Sequence, residues 1–77
     1  MADKRSVYEF NDEQDYNDAK DAIYSRVYSC YNNSDKLYFN GWYGGNYRMT
    51  IYSDITQDEL EQVVSIIREH QGHYVND

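Results

Sequence analysis

The sequence predicts an α+β fold, a small two-layer sandwich in which two helices cover one face of an antiparallel sheet. Three observations lead to this prediction. A chain of 77 residues has room for one domain, which we take to be residues 1–77 with a flexible tail at 1–5. Two segments repeat apolar residues at helical spacing. Between them, two runs of strand-forming residues flank a glycine-rich turn.

Ser6 to Phe10 forms the first expected strand, and the first helix follows it. Asn11 or Asp12 can cap this helix, which we expect to end near Tyr31, before a run of turn-forming residues. Its apolar residues lie within about 80° of one another on a helical wheel, and they are Tyr16, Ala19, Ile23, Val27 and Cys30. This spacing predicts that they form the buried side of the helix, with the cysteine as an ordinary core residue.

The second helix has the clearest boundaries, and we expect it over about residues 57–71. Thr56 and Glu59 have the spacing of a capping box. The apolar residues that then recur at helical spacing are Leu60, Val63, Val64 and Ile67. Gly72 follows the last turn, and the sequence predicts that it ends the helix in the left-handed conformation.

The two middle strands are predicted to pair as a hairpin, and the loop determines their register. A three-residue loop over residues 44–46 opposes Phe39 to Ile51, which keeps the apolar residues on one face. A two-residue loop would oppose Phe39 to Thr50 and mix the two faces. We therefore expect the three-residue loop.

Asn40-Gly41 offers an alternative turn, because this dipeptide is a strong hairpin signal. A turn there would leave strands too short to bury much surface. With His73 to Val75 as a candidate final strand, the element order is β-α-β-β-α(-β). This order resembles a split β-α-β sandwich.

In the expected register, every second residue of the hairpin faces away from the helices. Tyr38 then lies beside Tyr52, and Trp42 lies beside Arg48, within reach of a cation–π contact. We interpret these four residues as an aromatic sheet face that binds a protein partner or a second copy of the chain. Such a face also suits the bases of single-stranded RNA, but the sequence provides no basic residues to frame it.

The second feature of the sequence is its charge, a net −7 from 14 acidic and 7 basic residues. This balance disfavours direct binding to nucleic acid or to an anionic membrane. Carboxylates concentrate at the first helix, and we define the acidic stripe as Asp12, Glu13, Asp15, Asp18 and Asp21. The first two stabilise the helix N-terminus, whereas the other three are expected to climb the solvent side of the helix. A face that only keeps the protein soluble is the alternative interpretation.

Together these features predict a protein-binding module. Ten tyrosines in so short a chain fit this function, because tyrosine is enriched at interfaces. The acidic stripe could stand in for a phosphate backbone and dock on the basic surface of a protein that handles nucleic acid. In size and charge, though in no motif, the chain is similar to the anti-CRISPR and restriction-blocking DNA-mimic inhibitors that phages and mobile elements make. The alternative is a structural or regulatory homodimer that pairs its aromatic sheet faces.

The sequence contains no catalytic constellation and no cofactor motif, so we expect no enzymatic activity and no cofactor. His70, His73 and Cys30 could be imagined as zinc ligands, but Gly72 separates the two histidines and we expect no metal site. His70 better suits the carbonyl groups at the end of its helix. The lone cysteine and the lack of an export signal or a membrane-spanning apolar run lead us to expect a cytoplasmic protein.

Overall fold

The computed structural model describes residues 5–75, in which helices cover one face of a four-stranded antiparallel sheet. The elements in chain order are β1 (Arg5–Phe10), α1 (Glu13–Arg26), α2 (Tyr28–Tyr31), β2 (Leu37–Tyr43), β3 (Asn46–Tyr52), α3 (Gln57–Glu69) and β4 (His73–Val75). The strands lie in the order β2-β3-β1-β4. The predicted fold class and the candidate final strand are therefore confirmed. Of the expected tail, residues 1–4 lie outside the described residues, and Arg5 is the first residue of β1.

The core lies between the helices and the sheet. All five residues of the predicted buried side of the first helix are at most 4% exposed. They pack against apolar residues of the sheet and of α3, chiefly Phe10, Leu37, Met49, Ile51, Val63, Ile66 and Ile67. Most of these side chains are fully buried, as the helical spacing predicts for the first helix. On α3 the spacing located Val63 and Ile67 but not Ile66, and Leu60 and Val64 are only half-buried.

The first helix is shorter than expected. Asp12 caps it, because its carboxylate accepts a hydrogen bond from the backbone N–H of Gln14 at 3.1 Å. Val27 then leaves the helical region (φ −136°, ψ 55°), and the chain resumes as the separate short helix α2. The expected continuous helix to Tyr31 is therefore wrong, although Val27 and Cys30 remain in the core on either side of the break.

The capping box at the start of α3 is confirmed, but the prediction for its end is wrong. The helix ends at Glu69, and Gln71 rather than Gly72 adopts the left-handed conformation, with φ of 69°. The backbone N–H of Gly72 donates to the carbonyl of Ile67 at 2.8 Å, as in a Schellman motif. The glycine is required here for space instead, because a Cβ on it would lie 2.4 Å from Ile67 and 2.8 Å from Phe10.

The predicted hairpin register is also wrong. The loop has two residues, Gly44 and Gly45, so Tyr43 pairs with Asn46. Both glycines have positive φ, 61° and 102°, which a type I′ turn requires and which matches the twist of the strands.

A β-bulge at Asn40 explains how a two-residue loop can keep the apolar residues of the hairpin on one face. Phe39 pairs with Met49 and Gly41 pairs with Arg48, so Asn40 has no partner in the register. Gly41 has φ of 80°, and its N–H donates to the hydroxyl of the buried Tyr16 at 3.0 Å. The expected alternative turn at Asn40-Gly41 is thus a bulge that α1 holds in place. The bulge keeps the apolar residues on the helix side. Each residue of β2 after the bulge therefore points to the face opposite to the one predicted.

Glu59 joins α3 to the segment between α1 and β2. Its carboxylate accepts hydrogen bonds from Ser29 at 2.7 Å, from Lys36 at 2.9 and 3.1 Å, and from the backbone N–H of Thr56 at 3.1 Å. The donors, with Ser29 foremost, lower the pKa of this carboxyl from 4.5 to about 2. Because its pKa in the folded state is depressed, the carboxylate stabilises the fold above about pH 4.5, and this contribution is lost as the pH falls towards 2.

Replacing Glu59 with glutamine should lower the free energy of unfolding by about 1–2 kcal/mol at pH 7, because a neutral amide loses the charge-assisted bonds. The difference from wild type should shrink between pH 4.5 and pH 2 in chemical unfolding experiments. Glu61→Gln is the matched control, since Glu61 is exposed and accepts its hydrogen bond from Gln57 on the same helix. A difference that stays constant with pH would contradict the assigned role of the carboxylate.

Candidate functional site

The acidic stripe lies along α1, where Asp15 is half-buried and the other four residues are exposed. Asp12 is the cap, and Glu13 and Asp15 occupy the first turn, where the helix dipole favours negative charge. Asp18 and Asp21 lie beyond that turn and are exposed. At 100° per residue, a three-residue step turns back by about 60°, so the last three aspartates wind diagonally across the outer surface of the helix rather than forming a straight row.

No cation neutralises the acidic stripe within residues 5–75. The ion pairs in this part of the chain join Arg26 to Glu69, Lys36 to Glu59 and Arg48 to Glu9. Lys20, which lies within the stripe in sequence, points away from it. Its Nζ lies 5.5 Å from the ring centroid of Tyr16 and 5.4 Å from that of Phe39. Within residues 5–75 the carboxylates of the acidic stripe therefore form no ion pair, and Asp18 accepts a hydrogen bond from the neutral side chain of Gln14 at 2.9 Å.

The predicted aromatic sheet face needs one correction. Tyr38, Arg48 and Tyr52 do lie on the side of the sheet away from the helices, as expected. Trp42 does not, because the bulge pairs it with Tyr47, whose ring packs 5.4 Å from that of Tyr16 on α1. Trp42 is nonetheless 66% exposed, so it lies on the helix side without being packed under a helix.

Tyr43 takes the place predicted for Trp42. The guanidinium of Arg48 lies 4.1 Å from the ring centroid of Tyr43. The expected pairing of Tyr38 with Tyr52 is also wrong, because Tyr38 lies opposite Thr50. We define the open sheet face by its register positions, which are Arg5, Val7, Glu9, Tyr38, Tyr43, Asn46, Arg48, Thr50, Tyr52, His73 and Val75. The bulged Asn40 also belongs to it, because its side chain accepts a hydrogen bond from Thr50 at 2.7 Å.

The open sheet face differs from α1 in its charge. Its one carboxylate is Glu9, which accepts hydrogen bonds from Arg48 at 3.0 Å and from Asn46 at 2.9 Å. The bond from Arg48 is the main reason that the pKa of Glu9 lies below its usual value. Neighbouring side chains cover the centre of the face, because Glu9, Val7 and Thr50 are at most 8% exposed. Among the described residues, the uncompensated carboxylates thus lie on the helix side and in the loops, and the open sheet face has none.

One surface was not predicted from the sequence, a row of rings at the end of α1. We define the aromatic row as Tyr28, Tyr24, Tyr31 and Phe39 in their order of contact. The centroids of successive rings lie 5.4, 4.9 and 5.3 Å apart. The signal was present in the sequence, because Tyr24 and Tyr28 are four residues apart, the spacing of neighbours on a helix surface.

The residues considered as metal ligands do not form a site. Cys30 is buried, and this burial raises the pKa of its thiol to about 11. His70 Nδ1 lies 2.9 Å from the carbonyl oxygen of Ile66, as expected for a histidine at a helix end, and His73 pairs with Glu9 across the sheet. Within the described part of the chain, no three or more His, Cys, Asp or Glu side chains come together as a metal site would require. No described helix is long and apolar enough to cross a membrane.

Compared with known proteins, the chain matches no family model, no curated protein and no solved structure.

Proposed function

We propose that this protein is an inhibitory binding module that docks the acidic surface of α1 on a basic, nucleic-acid-binding surface of another protein. The partner is a protein rather than a nucleic acid, because the net charge of −7 repels a phosphate backbone. By occupying the basic surface, the module would keep nucleic acid away from its partner, as DNA-mimic inhibitors of the anti-CRISPR and restriction-blocking kind do.

The observation that carries this proposal is that no positive side chain among residues 5–75 pairs with a carboxylate of the acidic stripe. Three cations of the described chain neutralise Glu9, Glu59 and Glu69, and none lies within 4.0 Å of a carboxylate of the acidic stripe. If the stripe served only solubility, ion pairs with nearby lysine or arginine would stabilise this helix as they stabilise any other helix surface. An uncompensated anionic helix instead attracts a basic surface at long range and speeds association.

Competition with nucleic acid tests this proposal directly. The protein is immobilised and exposed to a bacterial lysate treated with nuclease, and the retained proteins are identified by mass spectrometry. We expect retention of nucleic-acid-binding proteins at about 50 mM salt, and a steep loss of retention by about 200 mM salt. A short double-stranded DNA should release the same proteins, whereas an equal mass of neutral dextran should not. Retained proteins that DNA cannot displace would contradict the proposal.

A homodimer is the second candidate, and the charge distribution favours it. Two chains of charge −7 repel each other, but the open sheet face carries a single carboxylate that Arg48 neutralises. Tyr38 and Tyr43 on this face are 49% and 57% exposed. Two copies could therefore pair their sheets through tyrosine rings while the acidic surfaces of α1 remain on the outside.

Light scattering at about 0.2 mM protein tests this candidate, since weak dimers populate at such concentrations. We expect a dimeric mass that Tyr38→Ser combined with Tyr43→Ser converts to a monomeric one. Trp42→Ser is the matched control, because Trp42 is more exposed than either tyrosine but lies on the helix side. A monomeric wild-type protein would exclude the dimer, and dissociation by the Trp42 variant would place the interface elsewhere.

A further inference from the structure

The aromatic row continues the acidic surface of α1 towards β2. Tyr24 lies one turn beyond Asp21 on α1, and the row passes from Tyr24 to Tyr31 of α2 and then to Phe39 of β2. Tyr28 contacts Tyr24 at the outer end, with the ring planes at 79°. The acidic surface therefore ends at a group of packed aromatic rings.

These rings have free surface despite packing on one another. Tyr24 and Tyr28 are 52% and 53% exposed, although each has an edge-to-face neighbour. Such ring pairs stabilise a fold by about 0.5–1.5 kcal/mol, which explains their arrangement. Their outward surface makes no contact within the described chain, so a ligand has access to it.

The same ring system already binds a cation. Lys20 Nζ lies 5.4 Å from the centroid of Phe39, at the inner end of the row. Aromatic rings attract cations through the negative charge of their faces, and a tyrosine ring offers this face as phenylalanine does. Arginine exploits such a ring better than lysine, because its planar guanidinium stacks on the ring while its N–H groups bond a carboxylate.

We propose that the exposed rings of Tyr24 and Tyr28, with the carboxylate of Asp21, form a binding site for an arginine side chain of the partner. The guanidinium stacks on a tyrosine ring and donates to the neighbouring carboxylate. This inference rests on the proposed function, and it adds that the basic surface of the partner carries arginine, rather than lysine, opposite the end of α1. Charge complementarity, and the contact of Lys20 with Phe39 at the other end of the same aromatic row, support this occupant.

Two peptides of equal charge, hexa-arginine and hexa-lysine, serve as probes. Calorimetry at about 50 mM salt should show that wild-type protein prefers hexa-arginine on the order of tenfold. Tyr24→Leu combined with Tyr28→Leu should remove most of this preference and leave the affinity for hexa-lysine unchanged. Tyr38→Leu combined with Tyr43→Leu is the control, because these exposed tyrosines lie on the open sheet face. In wild type, hexa-arginine should shift the aromatic proton resonances of Tyr24 and Tyr28.

The outcomes separate the two proposals. If both peptides bind equally, or if the Tyr24 and Tyr28 variant keeps the arginine preference, the arginine site is refuted while the proposed function stands. If neither peptide binds at low salt, α1 has no affinity for cationic chains and both proposals fail. Unshifted resonances of Tyr24 and Tyr28 would refute the site even if leucine at these positions disturbed the fold.

Discussion

Gly72→Ala is expected to destabilise the protein by about 3 kcal/mol, the upper part of the range for overpacking a core. The added Cβ would lie 2.4 Å from Cγ2 of Ile67 and 2.8 Å from two ring atoms of Phe10. Both side chains are fully buried, so neither can move without disturbing its own neighbours. Alanine restricts the unfolded chain and recovers up to about 1 kcal/mol, which does not offset such a clash. For a domain of this size the melting temperature should fall by on the order of 10–20 °C.

The steric clash can be separated experimentally from a backbone effect as the cause of this loss of stability. Gly72 does not have a positive φ, so alanine meets no conformational strain there. In a double-mutant cycle, Gly72→Ala should cost less in an Ile67→Ala background, because the closest contact is removed. Equal costs in the two backgrounds, measured by thermal or chemical unfolding, would show that the contact with Ile67 does not determine the stability.

Reversing the charge of three aspartates of α1 should produce the largest change in binding. Asp15→Lys, Asp18→Lys and Asp21→Lys together should weaken binding to a protein captured in the competition experiment by at least about 100-fold, because attraction becomes repulsion at each position. None of the three has an ion pair within residues 5–75. The loss in folding stability should stay near 1 kcal/mol, chiefly from placing a lysine in the first turn of the helix.

A control with the same change in net charge shows whether position matters. Asp35 and Asp54 are exposed in the loops that flank the hairpin, and Asp58 is exposed in the first turn of α3. Their replacement by lysine should weaken binding only modestly, through the long-range field that the whole charge creates. If both triple variants lose affinity equally in calorimetry or surface plasmon resonance, net charge rather than α1 governs binding.

The core and the fold class could be predicted because they follow from periodicity. Apolar residues at helical spacing located the buried side of α1, and the capping box at Thr56 located the start of α3. These features depend on local sequence. The same reasoning assigned Leu37, Phe39, Met49 and Ile51 to the side that packs against the helices, as the structure has them.

The errors arose where tertiary contacts override a local signal. Asn40-Gly41 was considered only as a turn, although a glycine inside a strand is also the signal of a bulge. The bulge depends on the hydroxyl of Tyr16, a residue 25 positions away, which local sequence cannot reveal. Its consequence for the surface is large, because it exchanges Trp42 for Tyr43 on the open sheet face.

Gly72 shows the opposite case, in which the right residue was singled out for the wrong reason. A glycine after a helix suggests a left-handed cap, but Gln71 adopts that conformation. The requirement for glycine comes from Ile67 and from Phe10, and Phe10 belongs to the first strand of the chain. The aromatic row was missed similarly, because it joins α1 and α2 to a strand and only part of it is regular in sequence.

Zero-length carbodiimide cross-linking in a lysate tests most directly whether α1 is the contact surface. The reagent joins a carboxylate to a lysine amine only when the two groups touch, and mass spectrometry identifies both residues. We expect cross-links to nucleic-acid-binding proteins from Asp15 and Asp18, and their loss when DNA is added, whereas Asp21, which we propose faces an arginine, should give none. Cross-links that arise instead from Asp35 and Asp54, with none from α1, would contradict the account.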